Sequence, residues 1–459
     1  MKNLFRAFLA LMLFMGLEAC SGFVDDINVD PNNPSDAPLE NVLNAVFTGI
    51  ITPQTGEDAR LGCMWAQQFS GVDRQYSAFN VYNMTAENFE WDKYYLAAKN
   101  ADIVIDKANV TENKLARGIA KTLKALCMGT VTSHWGDCPF SEANRYPDIE
   151  EPKFDNQAAV YAGIQTLLDE ALADFGANPT NPVIAGVDFY LGGSAAAWSK
   201  VAHSLKARYY THTKEYSKAL TEAKLGIDNQ AGDWAVPFAG GNTLQDQNTY
   251  NAFGVDFRAG YMDASSAILP QLLDTVPGNA KYRGNAKTDE SARYRALFVG
   301  ETGAYDLNYD NYWAATASFP IINALETQLI LAEAAARTGA PDEALSGLNA
   351  ARALLSATFG GTYADYVLDD FNEGNMAGIP GKSRDEALLY EIVEEKYCSL
   401  AGQNEVFNDL RRTKNLLGFV AISGGTIPQR FLIPQVEVNS NSSTPQPLPK
   451  LFDVTPVNQ

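Results

Sequence analysis

Three short segments of the sequence, 74–83, 234–253 and 305–313, combine aromatic rings with amide and carboxylate side chains at close spacing. A sugar presents C–H patches on one face and hydroxyl groups around its rim. Sugar receptors therefore pair exposed rings with a few placed polar groups. We interpret these segments as candidate ligand contacts. The residues selected are Tyr76, Tyr82, Trp234, Tyr250, Tyr309, Asp310, Tyr312 and Trp313.

Two alternatives stay open for these aromatic residues. In the first, the rings fix their own loops onto the rest of the protein, as buried aromatic residues commonly do. In the second, a peptide uses the same surfaces, because its backbone amides can pair with Asn and Asp side chains. The residue types predict a binding surface but do not separate a glycan from a peptide.

Residues with catalytic chemistry are sparse. The chain has three histidines and no G-x-S-x-G, H-E-x-x-H or P-loop sequence, so the usual carriers of nucleophilic, zinc-hydrolytic and phosphoryl chemistry are missing. A glycosidase needs only two carboxylates, and Glu391, Glu394 and Glu395 form such a cluster. The basic residues that follow favour a solvated or salt-bridged helix face instead. We predict a protein that is not an enzyme and has no cofactor.

Metal ligands are also poorly matched. Cys127, His134 and Cys138 lack a fourth ligand at zinc-site spacing. The stretches 26–30 and 306–310 have the oxygen spacing that opens a calcium loop, but both lack the glycine and glutamate of an EF-hand. We therefore predict no bound metal. The cysteines are too few for a disulfide scaffold, which leaves buried thiols or a single disulfide.

The N-terminus has the features of an export signal. Two basic residues, Lys2 and Arg6, precede an uncharged apolar run over 7–16. The run is shorter than the roughly 20 residues that cross a bilayer. Cys20 follows in the context LEAC, which fits the end of a bacterial lipoprotein signal except that Glu18 stands where a small or apolar residue is usual. We predict removal of residues 1–19 and lipidation of Cys20. The alternative is an ordinary cleaved signal followed by a chance cysteine.

The segment after Cys20 is polar, proline-punctuated and without periodicity, which predicts a tether over 20–38. The whole chain has 55 acidic and 35 basic residues and a net charge of −20. Such a surface repels nucleic acid and gains nothing from anionic lipid headgroups. We therefore exclude nucleic acid as a partner and expect membrane contact through the lipid anchor only.

From residue 39 onwards, helical periodicity dominates. Apolar residues recur at intervals of three and four over 91–108, 119–130 and 160–175, which predicts three amphipathic helices. Asn113 and Asp155 are candidate N-caps of the second and third helices.

Two later segments, 206–228 and 331–352, match each other. In both, a helix ends in a short polar turn and a second helix begins with an alanine-leucine pair. The pattern is typical of tetratricopeptide-like helical hairpins. The segments 230–262 and 300–320 are rich in Gly, Asn, Asp and aromatic residues and predict long irregular loops, which usually carry function.

Seven segments in chain order share a pattern with one known family. They are LEAC at 17–20, NVDPNNPSDAPLENVL at 28–43, WDKYYLAAKNADIVIDKA at 91–108, SHWGDCPFSEA at 133–143, ETQLILAEAAARTG at 326–339, EEKYCSLAGQNEVFNDLRRT at 394–413 and RFLIPQVEVNSN at 430–441. On these segments, the chain resembles the SusD/RagB nutrient-binding outer-membrane lipoproteins of Bacteroidetes. The departures from the family are Glu18 and Cys138.

The resemblance implies a mainly α-helical, SusD-like fold, in which tetratricopeptide-like hairpins form a scaffold and long irregular loops present the ligand. It implies a signal peptide over 1–19, a lipidated tether over 20–38 and one SusD-like domain over 39–459. It further implies a lipid-anchored protein on the outer membrane, exposed on the cell surface, that captures a glycan or a peptide. The implied partner is a SusC-like TonB-dependent transporter, which receives the ligand.

Overall fold

The computed structural model describes residues 37–241, 243 and 246–459. The predicted signal peptide, Cys20, the tether up to residue 36 and the acidic stretch 26–30 lie outside the described residues. Within the described part of the chain, no helix has both the length and the apolar character that crossing a bilayer requires.

Helices make up most of the regular structure, and the strands are short. The helices are α1 (Leu39–Gly49), α2 (Ile51–Thr55), α3 (Glu57–Trp65), α4 (Arg74–Asn80), α5 (Asp92–Val110), α6 (Lys114–Trp135), α7 (Gln157–Phe175), α8 (Pro182–Val187), α9 (Ala195–His212), α10 (Tyr216–Ala223), α11 (Thr249–Asn251), α12 (Ile268–Leu273), α13 (Ser291–Leu297), α14 (Ala324–Arg337), α15 (Pro341–Phe359), α16 (Arg384–Ser399), α17 (Glu405–Arg412) and α18 (Gln435–Ser440). The strands are β1 (Ser70–Gly71), β2 (Cys138–Pro139), β3 (Phe154–Asp155), β4 (Trp234–Val236), β5 (Met262–Asp263), β6 (Phe298–Val299), β7 (Asp306–Leu307) and β8 (Phe319–Ile322).

Helical hairpins form the scaffold. Helix α6 packs between α5 and α7, and nearly all of its side chains are buried. The two matching segments form the expected hairpins, α9–α10 and α14–α15, which contact each other through α10 and α14. Ala207 and Ala219 of the first hairpin share an apolar cluster with Ile330 and Ala334 of the second. The small side chains allow close backbone approach, and the predicted fold class is confirmed.

The helix termini follow local side-chain chemistry. Asn113 caps α6, because its side-chain oxygen accepts a hydrogen bond from the backbone N–H three residues on, at 3.1 Å. The expectation that Asp155 caps α7 is wrong. Asn156 is the cap, and Asp155 instead accepts the backbone N–H groups of Phe140 and Ser141 at 3.1 and 2.7 Å. Two adjacent residues could serve as the cap, and tertiary contacts decide between them.

Short antiparallel ladders fasten the long connections to the scaffold. In the described part of the chain, β1 pairs with β5, β2 with β3, β4 with β8, and β6 with β7. The first ladder joins Ser70 to Asp263 and Gly71 to Met262. Among the described residues, the segments 230–262 and 300–320 contain only short strands and helical turns, as predicted.

Candidate functional site

The three aromatic segments come together in the fold. The ring centroids of Tyr76 and Phe253 are 4.9 Å apart, and those of Tyr250 and Trp313 are 4.7 Å apart. The side-chain amide of Asn251 donates to the backbone oxygen of Trp313 at 2.9 Å. The segments that are distant in sequence are therefore one contiguous region.

Five of the eight selected residues lie in the protein interior, with exposed fractions between 0 and 6%. They are Tyr76, Tyr82, Trp234, Tyr250 and Trp313. The Tyr250 hydroxyl donates to the Gly402 carbonyl at 2.6 Å, and the Trp313 indole donates to the Leu297 carbonyl at 2.8 Å. A ring needs an open face to stack on a sugar, and these rings contact neighbouring loops and helices instead. Ligand contact at these five stays a prediction that the closed packing does not favour.

The other three selected residues, Tyr309, Asp310 and Tyr312, reach the surface. Tyr309 is half-buried against Gly254, where any Cβ atom would overlap its hydroxyl group. That hydroxyl has no hydrogen-bond partner among the described residues. Tyr312 is half-buried beside Phe359, and burial raises its pKa to about 12. Asp310 is exposed.

An exposed aromatic residue that the sequence patterns did not single out lies in the same region. The side chain of Phe257 is 55% exposed. The Arg258 guanidinium lies 3.9 Å from the Phe257 ring centroid and 5.6 Å from that of Tyr261, within the range of cation–π interaction. The three side chains form an open aromatic and cationic surface within the loop 230–262, where the sequence placed ligand contacts without indicating which ring is exposed.

A π-helical turn over Ala252–Phe257 presents this surface. Such turns are rare and occur frequently at functional sites. Phe253, near the start of the turn, is buried and holds the Arg60 guanidinium 4.1 Å from its ring centroid. Phe257, at the end of the turn, extends into solvent.

The segment before helix α4 lies beside the residues that follow this turn. The backbone N–H of Val72 donates to the Tyr261 carbonyl at 2.9 Å. Arg74 has a φ of +51°, which is uncommon for a residue with a side chain, and such strain clusters at ligand sites. We call the surface formed by 72–74, 255–261 and Asp310 the loop face.

The loop face combines three kinds of chemistry. Phe257 offers an aromatic platform. Asp73, Asp256 and Asp310 offer carboxylate acceptors, and Arg74 and Arg258 offer guanidinium donors. An aromatic platform surrounded by donors and acceptors is suited to the apolar face and the hydroxyl rim of a sugar.

The glutamates considered for glycoside hydrolysis form ion pairs with arginines. Arg283 contacts Glu391 at 2.8 Å and both Glu394 and Glu395 at 3.0 Å. Glu395 also contacts Arg293 at 2.8 Å. These contacts match the salt-bridged alternative, although the partners are Arg283 and Arg293 and not the basic residues that follow the cluster in sequence.

The histidines and cysteines have structural environments. His203 and His212 pair with glutamates at 2.6 and 2.7 Å, and burial lowers the pKa of His134 to about 3. The described cysteines are buried free thiols. Burial raises the pKa of Cys127 and Cys138 to about 12, so neither forms a thiolate readily.

In the stretch 306–310, the Asn308 side chain forms hydrogen bonds with nearby backbone groups. The Asn308 amide donates to the Arg295 carbonyl at 2.6 Å, and its oxygen accepts the backbone N–H of Asp310 at 3.2 Å. Within the described residues, no group of three or more His, Cys, Asp or Glu side chains is arranged to hold a metal ion.

Comparison with known families agrees with this architecture. The family described as SusD-like, starch-binding associating with outer membrane, matches residues 31–414 of the chain. The chain belongs to the SusD-like family. Its members are binding proteins associated with the outer membrane, and the resemblance stated from the sequence segments is confirmed.

Solved SusD-like structures share the fold at low identity. A SusD/RagB family protein from Bacteroides thetaiotaomicron has 20% identity and a TM-score of 0.68, with 89% of this chain and 95% of that chain covered. A SusD homolog from Parabacteroides distasonis has 17% identity and a TM-score of 0.70, with 91% and 98% covered. A chitin-binding SusD homolog from Flavobacterium johnsoniae has 17% identity and a TM-score of 0.67, with 87% and 94% covered. No curated protein matches the sequence.

Proposed function

We propose that this SusD-like protein captures a glycan at the loop face. The observation that carries the proposal is the exposed Phe257 ring, held beside Arg258 at the end of the π-helical turn. The loop face also carries carboxylates and a second arginine, so a sugar that stacks on Phe257 can bond to these side chains through its hydroxyl groups. The family description and the likeness to a chitin-binding homolog support a carbohydrate as the ligand.

The proposal also covers where the protein is attached and which protein receives the glycan. Cys20, once lipidated, anchors the protein to the outer membrane with the loop face on the cell surface. A SusC-like TonB-dependent transporter then receives the captured glycan. The export signal before Cys20 and the description of the family as associated with the outer membrane support this arrangement.

Titration of the full mature chain with soluble starch, chitin oligosaccharides and other plant and microbial glycans tests the proposal. We expect one glycan class to bind, and we expect Phe257→Ala to weaken its binding about fivefold or more, since stacking on one ring is worth about 1 kcal/mol or more. Isothermal titration calorimetry measures both affinities.

Phe189→Ala is the matched control. Phe189 is also an exposed phenylalanine, at 45%, but it packs on Phe47 and Tyr190, which are not part of the loop face. Its removal is expected to leave glycan binding unchanged. Equal glycan affinities of Phe257→Ala and the parent protein would exclude the loop face as the site. Binding of peptides and no glycans to this face would establish the peptide alternative.

A further inference from the structure

A cavity of about 480 Å³ opens between the start of helix α5, the connection 139–152 and the start of helix α18. Its volume lies in the range of small-ligand pockets, roughly 300–1,000 Å³. It shares no residue with the loop face. We call it the α5–α18 cleft.

Aromatic and aliphatic side chains form the walls of the α5–α18 cleft. Trp91 and Tyr95 lie on its inner side with ring centroids 5.5 Å apart. The Tyr95 hydroxyl donates to the Pro139 carbonyl at 2.7 Å, which fixes the ring. Two apolar side chains stand exposed at the rim, Tyr146 at 72% and Val436 at 77%. Large exposed apolar groups around a cavity indicate a contact surface for another molecule.

Carboxylates surround these apolar walls. Arg145 is the one cation among the described residues that line the cleft. Two of the lining carboxylates have lysine partners, and the other three have no cation within ion-pair distance in the described part of the chain. The paired residues are Glu90 with Lys93 and Glu142 with Lys153, each at 3.6 Å, and the others are Asp92, Glu150 and Glu437.

Glu437 is the carboxylate with the most restricted environment. It is half-buried on helix α18, and its one described side-chain partner is the Asn441 amide, which donates at 2.7 Å. Burial raises its pKa, because the carboxylate has lost part of its hydration. A cation that entered the cleft would compensate for this loss.

A polar cavity of about 390 Å³ adjoins the cleft and also has Glu90 in its wall. Its lining includes the carboxylates Glu57 and Glu87, the cation Lys93, and Asp58, whose pKa burial raises to about 7. With Glu90, three carboxylates face one lysine here, so the negative charge of the cleft continues past Glu90. An anion approaching the cleft would meet unfavourable charge on both sides.

We propose that the α5–α18 cleft binds an organic ammonium ion with an apolar body, of the class of arylalkylamines. The faces of aromatic rings attract cations, the carboxylates supply charge complementarity, and the apolar walls accept the body of the ligand. This inference goes beyond glycan capture and does not depend on it.

Three indole probes of nearly the same shape test the charge preference. Tryptamine is a cation, tryptophol is neutral and indole-3-acetate is an anion. We expect the mature chain to bind tryptamine with a Kd on the order of 1 mM, typical of a small ligand with few atoms. Tryptophol should bind at least threefold more weakly and indole-3-acetate more weakly still. Added salt should reduce the difference between the probes. Calorimetry or ligand-observed NMR measures the series.

Substitutions in the α5–α18 cleft test whether tryptamine binds there. Tyr146→Ala and Glu437→Gln should each weaken tryptamine binding at least threefold, with glycan affinity unchanged. Phe189→Ala, which removes an exposed ring elsewhere, should leave tryptamine binding as in the parent protein. The proposal would be overturned if the three probes bound with equal affinity or if tryptamine did not bind. It would also be overturned if neither cleft substitution changed the affinity for tryptamine. Binding of the tripeptide Lys-Trp-Lys without binding of tryptamine would also overturn it, because the occupant would then be a basic peptide segment.

Discussion

Trp313 and Phe257 lie in neighbouring loops, but only Phe257 is exposed. Trp313 is preceded in sequence by Asp and Asn residues, and this combination suggested that its ring stacks on a sugar. Yet its ring packs 5.6 Å from Phe69 and 4.7 Å from Tyr250. The residue types around a ring indicated the region of the site, but they did not indicate which ring is open. Exposure is decided by contacts with residues far away in sequence, such as Phe69, which local spacing does not encode.

Asp58 is a single residue with a measurable effect on stability. Burial raises its pKa from 3.8 to about 7, and its carboxylate accepts a hydrogen bond from the Tyr94 hydroxyl at 2.9 Å. The folded protein keeps this proton up to about pH 7, whereas the unfolded chain releases it above about pH 4. The contribution of Asp58 to stability is therefore present below pH 4 and is lost as pH rises to about 7.

We therefore expect Asp58→Asn to be more stable than the parent protein at pH 7.5 by about 1–3 kcal/mol, because the neutral amide avoids burial of a charge. The gain should shrink at pH 4.5, where the parent carboxyl is protonated. Urea unfolding at the two pH values measures the difference. Asp385→Asn, at an exposed position on helix α16, serves as the control. A gain of equal size at both pH values would contradict the assignment of the effect to Asp58 ionisation.

At the scale of elements, the helices were more predictable than the loops. Periodicity predicted α5, α6 and α7, and the repeated Ala-Leu pattern predicted the hairpins α9–α10 and α14–α15. Helices form from contacts that are close in sequence. The ladders that hold the loops pair residues such as Ser70 and Asp263, and two-residue strands leave no recognisable pattern. The sequence therefore indicated the loops that carry the loop face, but not how the fold brings them together.

Gly347 lies at a close approach between helices α14 and α15. A Cβ atom at this position would lie 2.8 Å from the Leu331 side chain and 3.1 Å from Ala332. We expect Gly347→Leu to destabilise the protein by about 1–3 kcal/mol, because the added side chain would force the helices apart. Chemical denaturation measures the change.

Ser346→Leu provides the comparison for this variant. Ser346 is the preceding residue on α15 and is exposed, so the same side chain there should change stability by less than about 0.5 kcal/mol. If both variants lost stability equally, a general intolerance of leucine on α15 would explain the result, and the close approach at Gly347 would not.

At the scale of the whole molecule, buried ion pairs connect the hairpins. Arg208 on α9 contacts Glu326 on α14 at 2.7 Å, and Arg412 on α17 contacts Glu333 on α14 at 2.7 Å. Two of the segments that the sequence matched to the family, 326–339 and 394–413, include most of α14 and all of α17. The family resemblance and the fold could therefore be predicted together, although the ligand-contact residues could not.

The proposed anchor concerns the whole chain. We expect Cys20→Ser to prevent lipidation and to release the mature protein from the membrane fraction, because stable attachment requires acyl chains that each contribute about 0.8 kcal/mol per buried methylene. Fractionation, together with mass spectrometry of the mature N-terminus in a host that processes bacterial lipoproteins, measures both effects. Retention of Cys20→Ser in the membrane fraction would show that another part of the protein attaches it.

The ladder between β1 and β5 has a consequence for folding. Beside it, the Ser266 N–H donates at 3.0 Å to the Ser70 hydroxyl, across a separation of 196 residues. Closing so large a loop carries an entropic cost, and contacts of high sequence separation form late. The helical hairpins are local structures and can form earlier. A newly exported chain would therefore acquire its scaffold before its ligand surface, and recovery of glycan binding during refolding would lag behind recovery of helical circular dichroism.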